Sequence, residues 1–326
     1  MLAPGRCISL AGKDRENMAV SIIQESLMYA VYFAPRGKKR LLSLGNQIAQ
    51  RHLSALDKLI GFIGDSGAGK SLLIKGMFPG LELTNDDEGV NVRPLPLMKN
   101  IDRGFFSSHT YHMDVRFESA FTQMHILVDA VKKAIEQDKR VIIEHFDIIY
   151  PYLGLNAETL IGIGEEVIVT RPSIFGPQPK DIAEIVFKSI KYRKMVHTAE
   201  DLTCKVLEEH FGFGHCQSHS DVKHGFVLEF NEKPDIDIGL LERKVMQYID
   251  DEADICYLDE SHIRIGDDEK YHCTGPRIHV RNAGEIENFQ LLKEFKFDPI
   301  AKQYALVGLV GNNHSVDIND LNKVTI

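Results

Sequence analysis

The eight residues Gly64-Asp65-Ser66-Gly67-Ala68-Gly69-Lys70-Ser71 constrain this chain more than any others. They satisfy the spacing G-x-x-x-x-G-K-[ST], follow the apolar run Leu59–Ile63 and precede the helical segment LLIKGMF. In such a loop, successive backbone N–H groups curl around an anion at a helix N-terminus, while the lysine reaches the outer phosphates and the hydroxyl reaches their metal. A glycine-rich turn with a chance Lys-Ser is the plain alternative. The strand before and the helix after supply the context that a phosphate loop requires. The expected ligand is therefore ATP or GTP with Mg²⁺, with Lys70 on the β- and γ-phosphates and Ser71 on the metal.

A magnesium-side acid is needed as well, and two sets compete for the role. One is the pair Asp86 and Asp87 in LELTNDDEGVNVRPLPL; the other is Glu144 or Asp147, at the end of the apolar segment VIIEHFD. We read Asp86 and Asp87 as the metal-side pair and hold Glu144 in reserve. His109, His112 and Asp114 in SSHTYHMD read as hydrogen-bonding loop groups, with a metal or substrate cluster as the sharper alternative. Arg171, which follows a strand end, reads as half of a surface salt bridge.

Periodicity predicts a helix over residues 16–33, a basic turn at Arg36–Arg40, a second helix over 41–56 and an amphipathic helix over 119–137. Buried strands are predicted at Leu59–Ile63, Val141–Ile143 and Glu166–Thr170. This alternation argues for an α/β layer built on a mostly parallel sheet. After the proline-rich PSIFGPQPKD and a helical stretch to about Lys194, the pattern changes. Helices are then predicted at 197–211 and 238–250, and strands at 225–230, 255–258, 262–265 and 304–310. The expected architecture is an α/β phosphate-loop domain over 1–190 followed by an α+β domain with an antiparallel sheet over 191–326.

Charge divides along the same line. Residues 1–190 carry 22 of the 38 basic and 22 of the 47 acidic side chains, so the whole net charge of −9 lies in 191–326. A negative module is a poor partner for a phosphate backbone, whose affinity comes from Lys and Arg displacing counterions. The five cysteines show no secreted disulfide spacing, and no apolar run is long enough for a signal peptide or a membrane span. A cytoplasmic protein is expected.

Two resemblances extend this reading. The stretch GDSGAGKS…LTNDDEGV…PLPL, within residues 59–99, resembles the phosphate loop of the HPr kinase and phosphoenolpyruvate carboxykinase type. There an acidic pair after the loop holds the metal, which implies Asp86 and Asp87. Residues 195–312 resemble the second additional domain, the editing domain, of alanyl- and threonyl-tRNA synthetases and their free-standing relatives. The residues that carry it are HTAEDL, the segment EEHFGFGHCQSHSDVKHGFVLEF, and IRIGDDEKYHCTGPRIHVRNAGEIENFQL. That family carries H-T-A-x-H on a helix and Cys-x-x-x-His on a later strand and loop. The resemblance implies zinc held by His197, Asp201, Cys273 and His279, and hydrolysis of an aminoacyl ester on a mischarged tRNA.

The chain departs from that pattern twice. Asp201 stands in place of the second helical histidine, and five residues rather than three separate Cys273 from His279. A carboxylate still binds zinc through oxygen, and His272, His215, Cys216 and His219 are further ligand candidates. Gly275, Pro276 and Arg277, inside the longer loop, suit a carboxylate or phosphate, which Arg holds through its fork. Gln217 and Ser218 fall where the family's substrate loop lies, and Gly284-Glu285-Ile286 reads as its structural turn. The sequence thus supports three functions: a nucleotide-regulated deacylase acting on a tRNA acceptor end or a small aminoacyl compound, a kinase for an amino-acid-like molecule, and a non-catalytic nucleotide-switched sensor of aminoacylation.

Overall fold

A computed structural model describes residues 29–84, 95–102, 104–214, 219–267, 270–311 and 321–322. The first layer is a six-stranded sheet of β1 (Ala30–Phe33), β2 (Leu59–Gly64), β3 (Thr110–Asp114), β4 (Arg140–Glu144), β5 (Thr159–Ile163) and β6 (Glu166–Thr170). Its strand order is β1-β6-β5-β2-β4-β3. The four strands β5, β2, β4 and β3 are parallel, while β6 and β1 add antiparallel at one edge. All six residues of β2 are buried, as expected for a central strand covered on both faces.

Helices α1 (Lys38–His52) and α2 (Lys70–Met77) pack on one face. The other face carries α3 (Pro96–Asp102), α5 (Met124–Glu136) and α6 (Phe146–Leu153), with the short α4 (Val115–Glu118) following β3 directly. Each strand of the parallel set hands the chain to a helix or loop at its carboxyl end. In open sheets of this kind the crevice at those ends is where ligands bind.

The second module holds two antiparallel sheets. One is β9 (Ile255–Asp259), β10 (His262–Ile265) and β11 (Lys270–His272). The other contains β7 (His219–Val222), β8 (Gly225–Phe230), β12 (Gln290–Leu291), β13 (Lys296–Asp298) and β14 (Gln303–Leu309). Helix α8 (Ile238–Asp250) packs its Leu241, Val245 and Ile249 into the core of this module. Its N-cap is Asp237, whose side chain accepts from the Leu240 N–H at 3.1 Å.

Three features differ from the sequence expectation. Ala30–Phe33, inside the predicted helix 16–33, is the edge strand β1; a short apolar run fits either period, and pairing with β6 decides it. Strand β5 was not expected, and its tight connection to β6 makes that pair antiparallel. Most consequential is α7, one unbroken helix over Pro179–Phe211 that runs through the expected boundary at 190. Nothing between Tyr192 and Val196 breaks a helix, since glycine and proline are both missing there. The core it packs into does change along its length, from the sheet domain through Ile190 to the second module from Met195 onward. Among the described residues, no helix is long and apolar enough to cross a membrane.

Candidate functional site

Two buried polar clusters stand out, and both are built around a cation. The first is at the phosphate loop. The chain leaves β2 at Gly64 and re-enters helix at Lys70, passing through Gly67 and Gly69 with φ of 77° and 99°. Those left-handed angles are cheap only for glycine. Lys70 Nζ donates to the carbonyls of Gly64 (3.2 Å) and Asp65 (3.0 Å) and stands 3.8 Å from Glu144. Ser71 Oγ donates to Glu144 Oε1 at 3.0 Å.

Glu144 is the hub of this cluster. His112 Nδ1 accepts from the Thr84 N–H at 3.0 Å, so its Nε2 carries the proton that faces Glu144 Oε1 at 3.2 Å. Burial alone would raise the Glu144 carboxyl, but His112, Lys70 and Ser71 outweigh it and hold it at about 2. The parallel register sets Asp114 of β3 opposite Glu144 of β4, so both carboxylates emerge at one sheet end. Asp114 is pushed up by burial and by the Glu144 charge. Asp114, Glu144 and His145 offer ligand atoms within 4.8 Å of one another. Hard oxygen ligands beside a loop hydroxyl are what Mg²⁺ takes.

Asp86 and Asp87 lie outside the described residues, and the reserve residue Glu144 meets Ser71 directly. Asp147 sits in the first turn of α6, with a buried Oδ1 that has no hydrogen-bond partner. His112 and Asp114, read from sequence as loop groups, are strand residues of the cluster; only the parallel register of β3 with β4 reveals that. Arg171 forms a two-pronged pair with buried Asp57 at 2.7 and 2.8 Å, and also donates to the His52 carbonyl.

The second cluster gathers Asp201, Cys273 and His279, three of the four expected zinc ligands, with ligand atoms within 4.8 Å of one another. His197 is not among them. It is buried one turn earlier on α7, and its Nδ1 has no hydrogen-bond partner. The centre of the group is filled by Arg36, 5% exposed, which enters from the turn before α1. Its Nη2 donates to Asp201 Oδ2 and to Cys273 Sγ (3.0 Å), and its Nη1 to Glu200 Oε2 (3.0 Å) and the His197 carbonyl (3.3 Å). His279 Nε2 is 2.9 Å from Asp201 Oδ2.

Arg36 was read from sequence as part of a solvated basic turn. Instead its guanidinium supplies the positive charge that a metal would supply. Burial pushes the Cys273 thiol up to about 12, against the pull of Arg36. As arranged, these residues do not fit a zinc ion, because Arg36 uses the same Asp201 oxygen and Cys273 sulfur.

The modules also meet at the phosphate loop itself. Arg193 of α7, buried, donates to the carbonyls of Ala68 (2.9 Å), Gly164 (3.4 Å) and Pro35 (3.2 Å), and Lys194 pairs with Asp65 at 3.0 Å. A cavity opens above Lys70, Ser71, Asp114 and Glu144, and its opposite wall is the Thr274–Ile278 loop. His215, Cys216, Gln217 and Ser218 lie outside the described residues. No protein-family model matches this chain, and no curated protein matches it.

Proposed function

We propose that this chain is a nucleotide-dependent enzyme of the phosphoryl-transfer class, binding ATP or GTP with Mg²⁺ at residues 64–71. The observation that carries the reading is the Lys70, Ser71, Glu144 and Asp114 cluster, set at the carboxyl ends of parallel strands and open to a cavity. Lys70 and the loop N–H groups bind the phosphates, Ser71 and the two carboxylates suit the metal side, and the metal would draw charge from the transferring phosphoryl group. The substrate we favour is small and amino-acid-like, since the acidic excess of 191–326 disfavours a nucleic-acid backbone. We place the protein in a reducing, cytoplasmic setting, as its cysteine spacing suggests.

Calorimetric titration with ATP, GTP and their diphosphates, with and without Mg²⁺, tests the reading. Wild type should bind at least one of them in a Mg²⁺-dependent way, and Lys70→Ala should not. Equal binding by both proteins would refute it.

Deacylation is kept as a second reading because Asp201, Cys273 and His279 still converge. It requires Arg36 to withdraw from the cluster. Release of amino acid from a panel of mischarged tRNAs by wild type would favour it.

A further inference from the structure

The loop between Cys273 and His279 crosses the mouth of the phosphate loop. Arg277, at its crest, packs so close to Gly67 that a Cβ there would stand 3.3 Å from the Arg277 Cβ. Its guanidinium lies over the Tyr257 ring, 5.4 Å from the centroid, and Arg277 lines the same cavity as Lys70 and Ser71. Both ends of the loop are tied down. Cys273 N donates to the Ser261 carbonyl (2.9 Å), Gly275 N to Cys273 Sγ (3.3 Å) and Ile278 N to the Gly275 carbonyl (3.1 Å). Arg277 is thus delivered to the cavity by a short, braced strap. The two residues by which this strap exceeds Cys-x-x-x-His add about 6–7 Å of chain.

We propose that Arg277 contacts the terminal phosphate of a nucleoside triphosphate held by residues 64–71, so that the nucleotide is bound between the two modules. This rests on the nucleotide reading above and adds the residue that distinguishes triphosphate from diphosphate. In the transfer, the bond from Pγ to the bridging β-phosphate oxygen breaks and a bond from Pγ to the acceptor hydroxyl oxygen forms. The diphosphate leaves with the electron pair, and the acceptor hydroxyl gives up its proton. Arg277 makes and breaks no covalent bond; it neutralises charge on the phosphoryl oxygens, which in other phosphate-loop enzymes is worth about 10³-fold or more in rate.

The test uses the full chain as wild type, Arg277→Ala and Arg277→Lys. Affinities for ADP, GDP and the non-hydrolysable triphosphate analogues are measured by calorimetry, with thermal unfolding as the folding control. Arg277→Ala should lose roughly tenfold to a hundredfold in triphosphate affinity, the range of one charge-assisted contact, and keep its diphosphate affinity. Arg277→Lys should recover part of that affinity but not the rate, because the fork is lost. Unchanged triphosphate affinity in a folded Arg277→Ala overturns this role and leaves the nucleotide reading standing. A wild type that binds no nucleotide overturns both.

Discussion

The Lys70 and Arg36 clusters are chemically alike and differ in where they open. Each surrounds a buried cation with carboxylates and histidine: Glu144, Asp114 and His112 in one, Asp201, Glu200 and His279 in the other. Lys70 points toward a cavity, and its partners at 3.0–3.2 Å are carbonyls of its own loop, which a phosphate can replace. Arg36 points into the junction of two modules, and its partners come from residues 160 to 240 positions away. The same ingredients make a site where one side is left open and a joint where none is. A buried charge is costly unless opposite charges and hydrogen bonds compensate most of it.

The comparison breaks most readily at Arg36. Arg36→Ala leaves Glu200 and Asp201 buried without their cation and should cost about 3–5 kcal/mol in urea unfolding, the usual penalty for halving a buried pair. Full stability in that variant would show that the joint does not depend on the guanidinium. Metal analysis of the same variant sharpens the point: zinc bound by Arg36→Ala but not by wild type would identify arginine and metal as alternative occupants. Next in size is Lys70→Ala, which should lower triphosphate affinity or turnover by on the order of 10²-fold with little change in stability. Glu144→Gln should abolish the Mg²⁺ dependence of binding and lower the melting temperature by a few degrees, because His112 and Ser71 lose a charged acceptor.

The smallest effect is on pH dependence, and it should appear in two stages. His145, held at about 4 by burial and Lys70, and His197, held well below its usual range by burial and Arg36, are neutral in the folded protein. The unfolded chain protonates them first as pH falls below about 6.5, so stability declines from there. Glu144 and Asp201, both held at about 2, add a second loss as pH drops from about 4.5 toward 2. Melting temperature measured against pH should show both steps, and a curve flat from pH 7 to 5 would contradict the first.

The phosphate loop, β2, β4, β8 and α8 were legible because each is an uninterrupted local pattern. Helix α8 begins and ends where its apolar period does, at Ile238 and Asp250. Asp114 was read as a hydrogen-bonding loop residue, with a metal or substrate cluster as the alternative. What makes it a partner of Glu144 is strand register, which no local pattern encodes. Arg36 was read in the wrong environment for a related reason. A basic residue beside Lys38, Lys39 and Arg40 looks solvated, and only the fold brings Glu200, Asp201 and Cys273 around it. The zinc resemblance identified residues that do converge, yet it could not register a competitor from another module. The longer Cys273–His279 spacing was legible as a departure from the ligand motif, but not that its loop packs against Gly67.

Helix α7 spans about 50 Å at 1.5 Å per residue. Its first half is a facing of the sheet domain and its second half is the central beam of the other module, with Arg193 bolted to the phosphate loop between them. Neither module can therefore be lifted out as a cassette. A cut at residue 190 would strand the Met195–Leu207 stretch of one core on an unsupported helix and strip the loop of its backing. Unfolding of either part should therefore carry the other with it, in a single thermal transition.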